Sequence, residues 1–194
     1  MTMTAASLAR RADAVLVLVD IQERLAAAMT ERDDVVCAAT RLARTAALVG
    51  VPMIVTRQYP QGLGPTDAEL ENALLRLAEE GATVLGVDKT AFCCPSESEF
   101  LEVLSATGRG QVVLTGMETH ICIAQTALGL AARGLEVQVA ADACCSRDRT
   151  MHDIALDRLR AAGVVVTSSE SVMYELVERA ATEEFRHLLQ IVKG

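Results

Sequence analysis

The chain has 194 residues, with 26 acidic against 18 basic side chains and a formal charge of −8 at pH 7. An acidic chain with three Phe, two Tyr and no Trp lacks both the basic footprint and the stacking platforms of nucleic-acid binding. The same charge disfavours anionic membrane surfaces. The length suits one domain over 1–194, which buries about 70% of the unfolded chain's surface and needs no disulfide or metal staple.

At the start, Met1 to Arg11 lacks a basic stretch followed by a long apolar run, so no secretory leader is expected. The first apolar run, Ala14 to Val19, stops at Asp20, far short of a membrane span. These features set the expectation of a cytoplasmic chain whose six cysteines are reduced. The adjacent pairs Cys93-Cys94 and Cys144-Cys145 have neither zinc-ribbon nor C-x-x-C spacing. Cys37, inside a helical pattern, reads as small apolar filler, as do Cys144 and Cys145.

Along the chain, β-branched or aliphatic runs at 14–19, 51–56, 83–87, 111–115, 135–140 and 164–167 alternate with amphipathic stretches. Most of the runs are apolar throughout, as expected of parallel strands covered on both faces. Gly50, Gly81, Gly108, Gly134 and Gly163 each close a helix-like stretch before the next run, one βα unit apart. Thr66-Asp67-Ala68-Glu69 and Ser96-Glu97-Ser98-Glu99 fit the capping box, and Thr182-Glu183-Glu184 opens a last helix. The reading is an α/β fold: a single-domain, three-layer α/β/α arrangement around a six-stranded, mostly parallel sheet. The loop Tyr59 to Pro65, with two Pro and two Gly, is expected to be neither helix nor strand, at the carboxyl edge where such sheets bind ligands.

Polar residues at the carboxyl ends of strands carry the functional information. Asp20 is either an acid/base or the cap of the next helix. Lys89 is either a solvated lysine or a partly buried one that needs a carboxylate partner. Cys122, after Gly116-Met117-Glu118-Thr119-His120-Ile121, sits where a helix begins. There the dipole and unpaired N–H groups favour a thiolate and can receive an oxyanion, although an inert buried thiol fits the same stretch.

Together, Asp20 in Leu18-Val19-Asp20-Ile21-Gln22, Lys89 in Asp88-Lys89-Thr90-Ala91-Phe92, and Cys122 after Gly116-Met117-Glu118 resemble the isochorismatase-like cysteine hydrolases. Gln58-Tyr59-Pro60-Gln61-Gly62-Leu63-Gly64 and Asp142-Ala143-Cys144-Cys145-Ser146-Arg147 look like the isochorismatase domain-containing subgroup. The resemblance implies a Rossmann-like strand order and a catalytic triad. In it Cys122 is the nucleophile, Asp20 the proton acceptor and Lys89 the charge that supports both. It also implies a cis peptide at Met117–Glu118 and an oxyanion hole built from Met117, Glu118 and Cys122. The substrate it implies is a small amide or carbamoyl compound, cleaved at a C–N bond through a thioester. Vinyl-ether-cleaving relatives do not depend on such a cysteine.

Metal-binding relatives carry an Asp-x-His pair after the second strand, where this chain has Arg57-Gln58-Tyr59. The three histidines, 120, 152 and 187, do not supply that pair, so no metal and no other cofactor is expected. Gln58, Tyr59, Phe92, Cys93 and Cys94 are candidates for substrate contact. His120, two residues before Cys122, is expected in a wall or at the surface rather than in a Cys–His dyad. Asp142 reads as a loop cap. Relatives imply a homo-oligomer, dimer or larger. The alternatives are a non-catalytic protein with an inherited pocket, or a redox sensor using Cys93-Cys94 beside Cys122.

Overall fold

The computed structural model describes residues 8–193. Residues 1–7, on which part of the leader expectation rests, lie outside the described residues. The chain runs β1 (Ala14–Val19), α1 (Glu23–Ala26), α2 (Arg32–Leu48), β2 (Met53–Gln58), α3 (Pro60–Leu63), α4 (Ala68–Glu79) and β3 (Val84–Lys89). It continues through α5 (Ser98–Ala106), β4 (Gln111–Met117), α6 (Ala124–Ala131), β5 (Glu136–Cys145), α7 (Arg149–Ala161), β6 (Val165–Thr167), α8 (Ser169–Val177) and α9 (Glu183–Lys193).

The six strands form one all-parallel sheet in the order β3-β2-β1-β4-β5-β6. The order reverses between β1 and β4, and a crevice for ligands opens at such a switch point. Strand pleating sends alternate residues to opposite faces. Ala14, Leu16 and Leu18 join one core beneath α2, α4, α8 and α9. Val15, Val17 and Val19 join the other beneath α5, α6 and α7. All six β1 residues are buried, which explains why that run does not alternate in polarity.

Local details sharpen or correct the sequence reading. The five helix-closing glycines all adopt left-handed φ. Pro60–Leu63 forms a single helical turn inside the loop expected to hold none. Proline is tolerated at the first helical position, and Gly64 at φ 82° ends the turn at once. Asp67, rather than Thr66, caps α4 by accepting from the Glu69 N–H. The capping box read at Ser96 to Glu99 does not form: α5 starts after Glu97 with no side-chain cap, and the Glu97 carboxylate accepts the N–H groups of Thr90 (2.9 Å) and Ala91 (2.7 Å) and so closes the loop after β3. Cys37 is exposed, against the expectation of filler, because α2 buries Val35, Val36, Ala39, Leu42, Ala43 and Ala46 and Cys37 lies off that face.

Candidate active site

Three strands deliver their carboxyl ends to one buried centre. Asp20 follows β1 with φ 54° and is fully buried. It does not cap the next helix: its Oδ1 accepts from Thr56 Oγ1 at 2.7 Å and its Oδ2 from Lys89 Nζ at 2.6 Å. Lys89 ends β3 and also donates to Gln58 Oε1 at 2.6 Å and to the Ala91 carbonyl at 3.3 Å. The solvated reading of Lys89 is therefore excluded, and the buried one comes with its carboxylate. Cys122 follows β4, is 4% exposed, and lies near enough to Asp20 and Lys89 for both charges to act on its thiol.

The close approach of β1 and β4 depends on one glycine. Gly116 pairs with Val19 across the two strands and holds φ 131°. A Cβ at that position would collide with the Val19 carbonyl oxygen. After β4 the Met117–Glu118 peptide is cis, as the resemblance implies. Thr119–Ile123 then winds as one wide π-helical turn, with Ile123 N–H donating to Glu118 O at 3.3 Å, before α6 begins. Cys122 thus lies inside that turn rather than on the first regular turn of the helix.

Side chains tie the turn to neighbouring elements. The buried Glu118 Oε2 accepts from Arg147 N (2.8 Å) and Nε (3.2 Å). Thr119 Oγ1 pairs with His152 Nδ1 at 2.8 Å. His120 Nδ1 meets Ser146 Oγ at 2.9 Å, which fits the wall role and leaves the dyad without support. Asp142 accepts from Ser169 N and Oγ, each at 2.6 Å, at the start of α8, which Ser168 caps.

The electrostatics separate two readings. Burial by itself would lower the Lys89 ammonium, but the Asp20 charge and hydrogen bond, with Cys94 and Cys122, hold it above its ordinary value. Burial, followed by the Asp20 charge, pushes the Cys122 thiol well up, and Lys89 opposes this only in part. Of the two readings left open by the sequence, a dipole-favoured thiolate and a buried thiol, burial and the Asp20 charge favour the thiol. Burial pushes Cys94 up to about 11. Both groups carry the proton at neutral pH.

The five pocket candidates separate. Tyr59 and Phe92 are exposed, at 55% and 53%, on the loops after β2 and β3. Gln58 turns inward to Lys89. Cys94 is fully buried beneath the centre, where its N–H donates to Thr126 Oγ1 at 3.1 Å. Cys93 points to α6, its thiol donating to the Gln125 carbonyl at 3.3 Å. Sequence reasoning overlooked Thr56, although it ends an apolar run at a strand's carboxyl edge, the same signal that marked Asp20. Among the described residues, no three His, Cys, Asp or Glu side chains converge as a metal-binding group.

The isochorismatase domain model matches residues 14–171. Isochorismatase domain-containing protein 1 of Salmo salar is 37% identical over 90% of this chain and 59% of its own. The chain thus spans about three fifths of that relative's length. Isochorismatase domain-containing protein 2A of Mus musculus is 37% identical over 92% of this chain and 82% of its own. The solved MAR1 ribonuclease from Caenorhabditis elegans superposes with a TM-score of 0.87 at 29% identity, covering 97% of this chain and 93% of that one.

Proposed function

The chain belongs to the isochorismatase family and has its hydrolase fold, and from that premise we propose that it is a metal-independent cysteine hydrolase of small amide or carbamoyl compounds. The observation that carries the reading is the fully buried Lys89–Asp20 pair, 2.6 Å apart, whose charges act on the neighbouring Cys122 thiol. A buried ion pair costs desolvation that packing residues would avoid, so its place beside a nucleophile argues for chemistry.

Cys122 Sγ attacks the substrate carbonyl carbon while its proton passes to Asp20. Lys89 balances the charge through this transfer. The oxyanion is received by backbone N–H groups of the turn at Glu118 and Cys122. Collapse breaks the C–N bond, and the leaving nitrogen takes the proton from Asp20. Asp20 then removes a proton from water, which attacks the thioester; the acid leaves and the thiol regains its proton. Because the resting sulfur is a thiol, the proton transfer accompanies attack instead of preceding it.

The same reading places the chain in the cytoplasm as a homo-oligomer. All six cysteines are unpaired, which suits a reducing compartment. Met151 and Ile154, three residues apart on one side of α7, are exposed apolar groups of the kind that an interface covers. Among the described residues no helix is long and apolar enough to cross a membrane. A ribonuclease reading finds no favouring feature, since the charge is −8 and Lys89 is committed to Asp20 and Gln58. The test is Cys122→Ala and Cys122→Ser against a panel of small amides. Turnover disappears while circular dichroism is unchanged; undiminished turnover would sink the mechanism.

A further inference from the structure

Gln58 reads from sequence as a substrate contact, yet both ends of its side chain are already engaged. It is 7% exposed, its Oε1 accepts from Lys89 Nζ at 2.6 Å, and its Nε2 donates to the Thr90 carbonyl at 2.7 Å. The cause is register: β2 and β3 are parallel with Gln58 opposite Lys89, so the two side chains leave the sheet on the same side. The Gln58 backbone is fixed in turn by Gln22, itself fully buried. Gln22 Oε1 accepts the Gln58 N–H at 2.7 Å, and its Nε2 donates to Gln58 O (3.1 Å) and Gly64 O (2.7 Å).

The ammonium of Lys89 has three N–H bonds, and the three acceptors Asp20, Gln58 and the Ala91 carbonyl occupy them. The lysine is therefore a fixed charge aimed at Asp20, with no donor left for substrate. We infer that Gln58 is a positioning residue: it orients Lys89 toward Asp20 as a neutral acceptor, and Gln22 sets Gln58 in place. Neutrality matters as much as geometry. A carboxylate at position 58 would divide the ammonium between two anions and add a negative charge near the sulfur. This inference rests on the Asp20–Lys89–Cys122 centre proposed above.

The charged and titratable groups facing Lys89 are Asp20, Cys94, Cys122 and, across the loop after β3, Glu97; those facing Cys122 are Asp20, Lys89 and Cys94. Only position 58 changes in the Gln58 variants. The experiment measures iodoacetamide alkylation of Cys122 in the substrate-free full chain from pH 6 to 11, read by peptide mass spectrometry. It compares the native chain with Gln58→Glu, Gln58→Met and Lys89→Met, and circular dichroism checks each fold.

Lys89→Met removes the positive charge and slows alkylation across the pH range measured. Gln58→Glu acts the same way, slowing alkylation at pH 8 about tenfold or more, since a like charge near a buried site shifts its pKa by about a unit or more. Gln58→Met, which frees the ammonium without adding charge, slows it by about threefold, less than the added anion does. A substrate contact would raise KM and leave these substrate-free profiles unchanged, and a packing role would lower Tm alone. If Lys89→Met shifts the profile and the Gln58 variants stay within twofold of the native chain, the positioning role is wrong and the centre stands. If Lys89→Met does not shift it either, the reading of the centre fails and this inference with it. Should Gln58→Glu not fold, the near-isosteric Gln58→Met decides by the same criterion.

Discussion

Replacing Asp20 by Asn preserves shape but strands the Lys89 ammonium in a site where both side chains are 0% exposed. Removing one partner of a buried pair costs about 3–5 kcal/mol of stability. An independent ceiling follows from proton release. At pH 7 the lysine can escape its charge by losing a proton about 3.4 pH units below its ordinary value, at about 1.36 kcal/mol each, or about 4.6 kcal/mol. The ceiling falls within that range, so a loss of about 3–4.6 kcal/mol is expected at pH 7.

The pH dependence is the sharper signature. In the native protein Lys89 is raised, so its contribution to stability is whole below about 10.4 and is lost only as the pH climbs through the raised value. In Asp20→Asn the unpaired lysine is pushed down by burial, and the unfolded chain then holds one proton more than the folded one. Between the two values stability rises with pH by about 1.36 kcal/mol per unit. Urea unfolding followed by circular dichroism at pH 7, 8, 9 and 10 reads both effects. A loss below about 1 kcal/mol at pH 7, or a slope equal to that of the native chain, would refute the buried charge pair.

Three further outcomes follow from the geometry. Thr56→Val removes the 2.7 Å hydrogen bond to the Asp20 carboxylate, a bond to charge worth about 1.5–3 kcal/mol, so urea unfolding shows a loss of about that size. An unchanged unfolding midpoint would deny Thr56 that role. Gly116→Ala places a Cβ against the Val19 carbonyl at φ 131° and costs about 3 kcal/mol or more in urea unfolding, with a native-like midpoint as the contrary result. Size-exclusion chromatography with light scattering at micromolar concentration gives a dimer or larger, and a monomer mass would contradict the oligomer.

The sheet was legible because its strands are buried on both faces: continuous aliphatic runs between helix-closing glycines marked all six, and β1 matches its run from Ala14 to Val19. Strand ends were harder. β4 reaches Met117 and β5 reaches Cys145, beyond the runs read at 111–115 and 135–140, and within the β5 extension Asp142 bonds Ser169 at the start of α8. Asp20, Lys89 and Cys122 were found from position at carboxyl ends together with family resemblance. Register is what sequence could not supply. Pairing of Gln58 with Lys89 turned a presumed mouth residue into part of the charge network, and the wide turn at Thr119–Ile123 buried a thiol whose ionisation the sequence left open. Thr56 escaped notice because a threonine suits a β-strand, and only the folded distance reveals its hydrogen bond to Asp20.

The central claim is that Cys122 carries the acyl group during hydrolysis. Intact-mass and peptide-level mass spectrometry, after rapid acid quenching with each small amide or carbamoyl compound the protein turns over, addresses it directly. An acyl adduct forms on Cys122, decays at a rate compatible with turnover and is lost in Cys122→Ala. Steady hydrolysis with the adduct on another residue, or at full rate in Cys122→Ala, would contradict it.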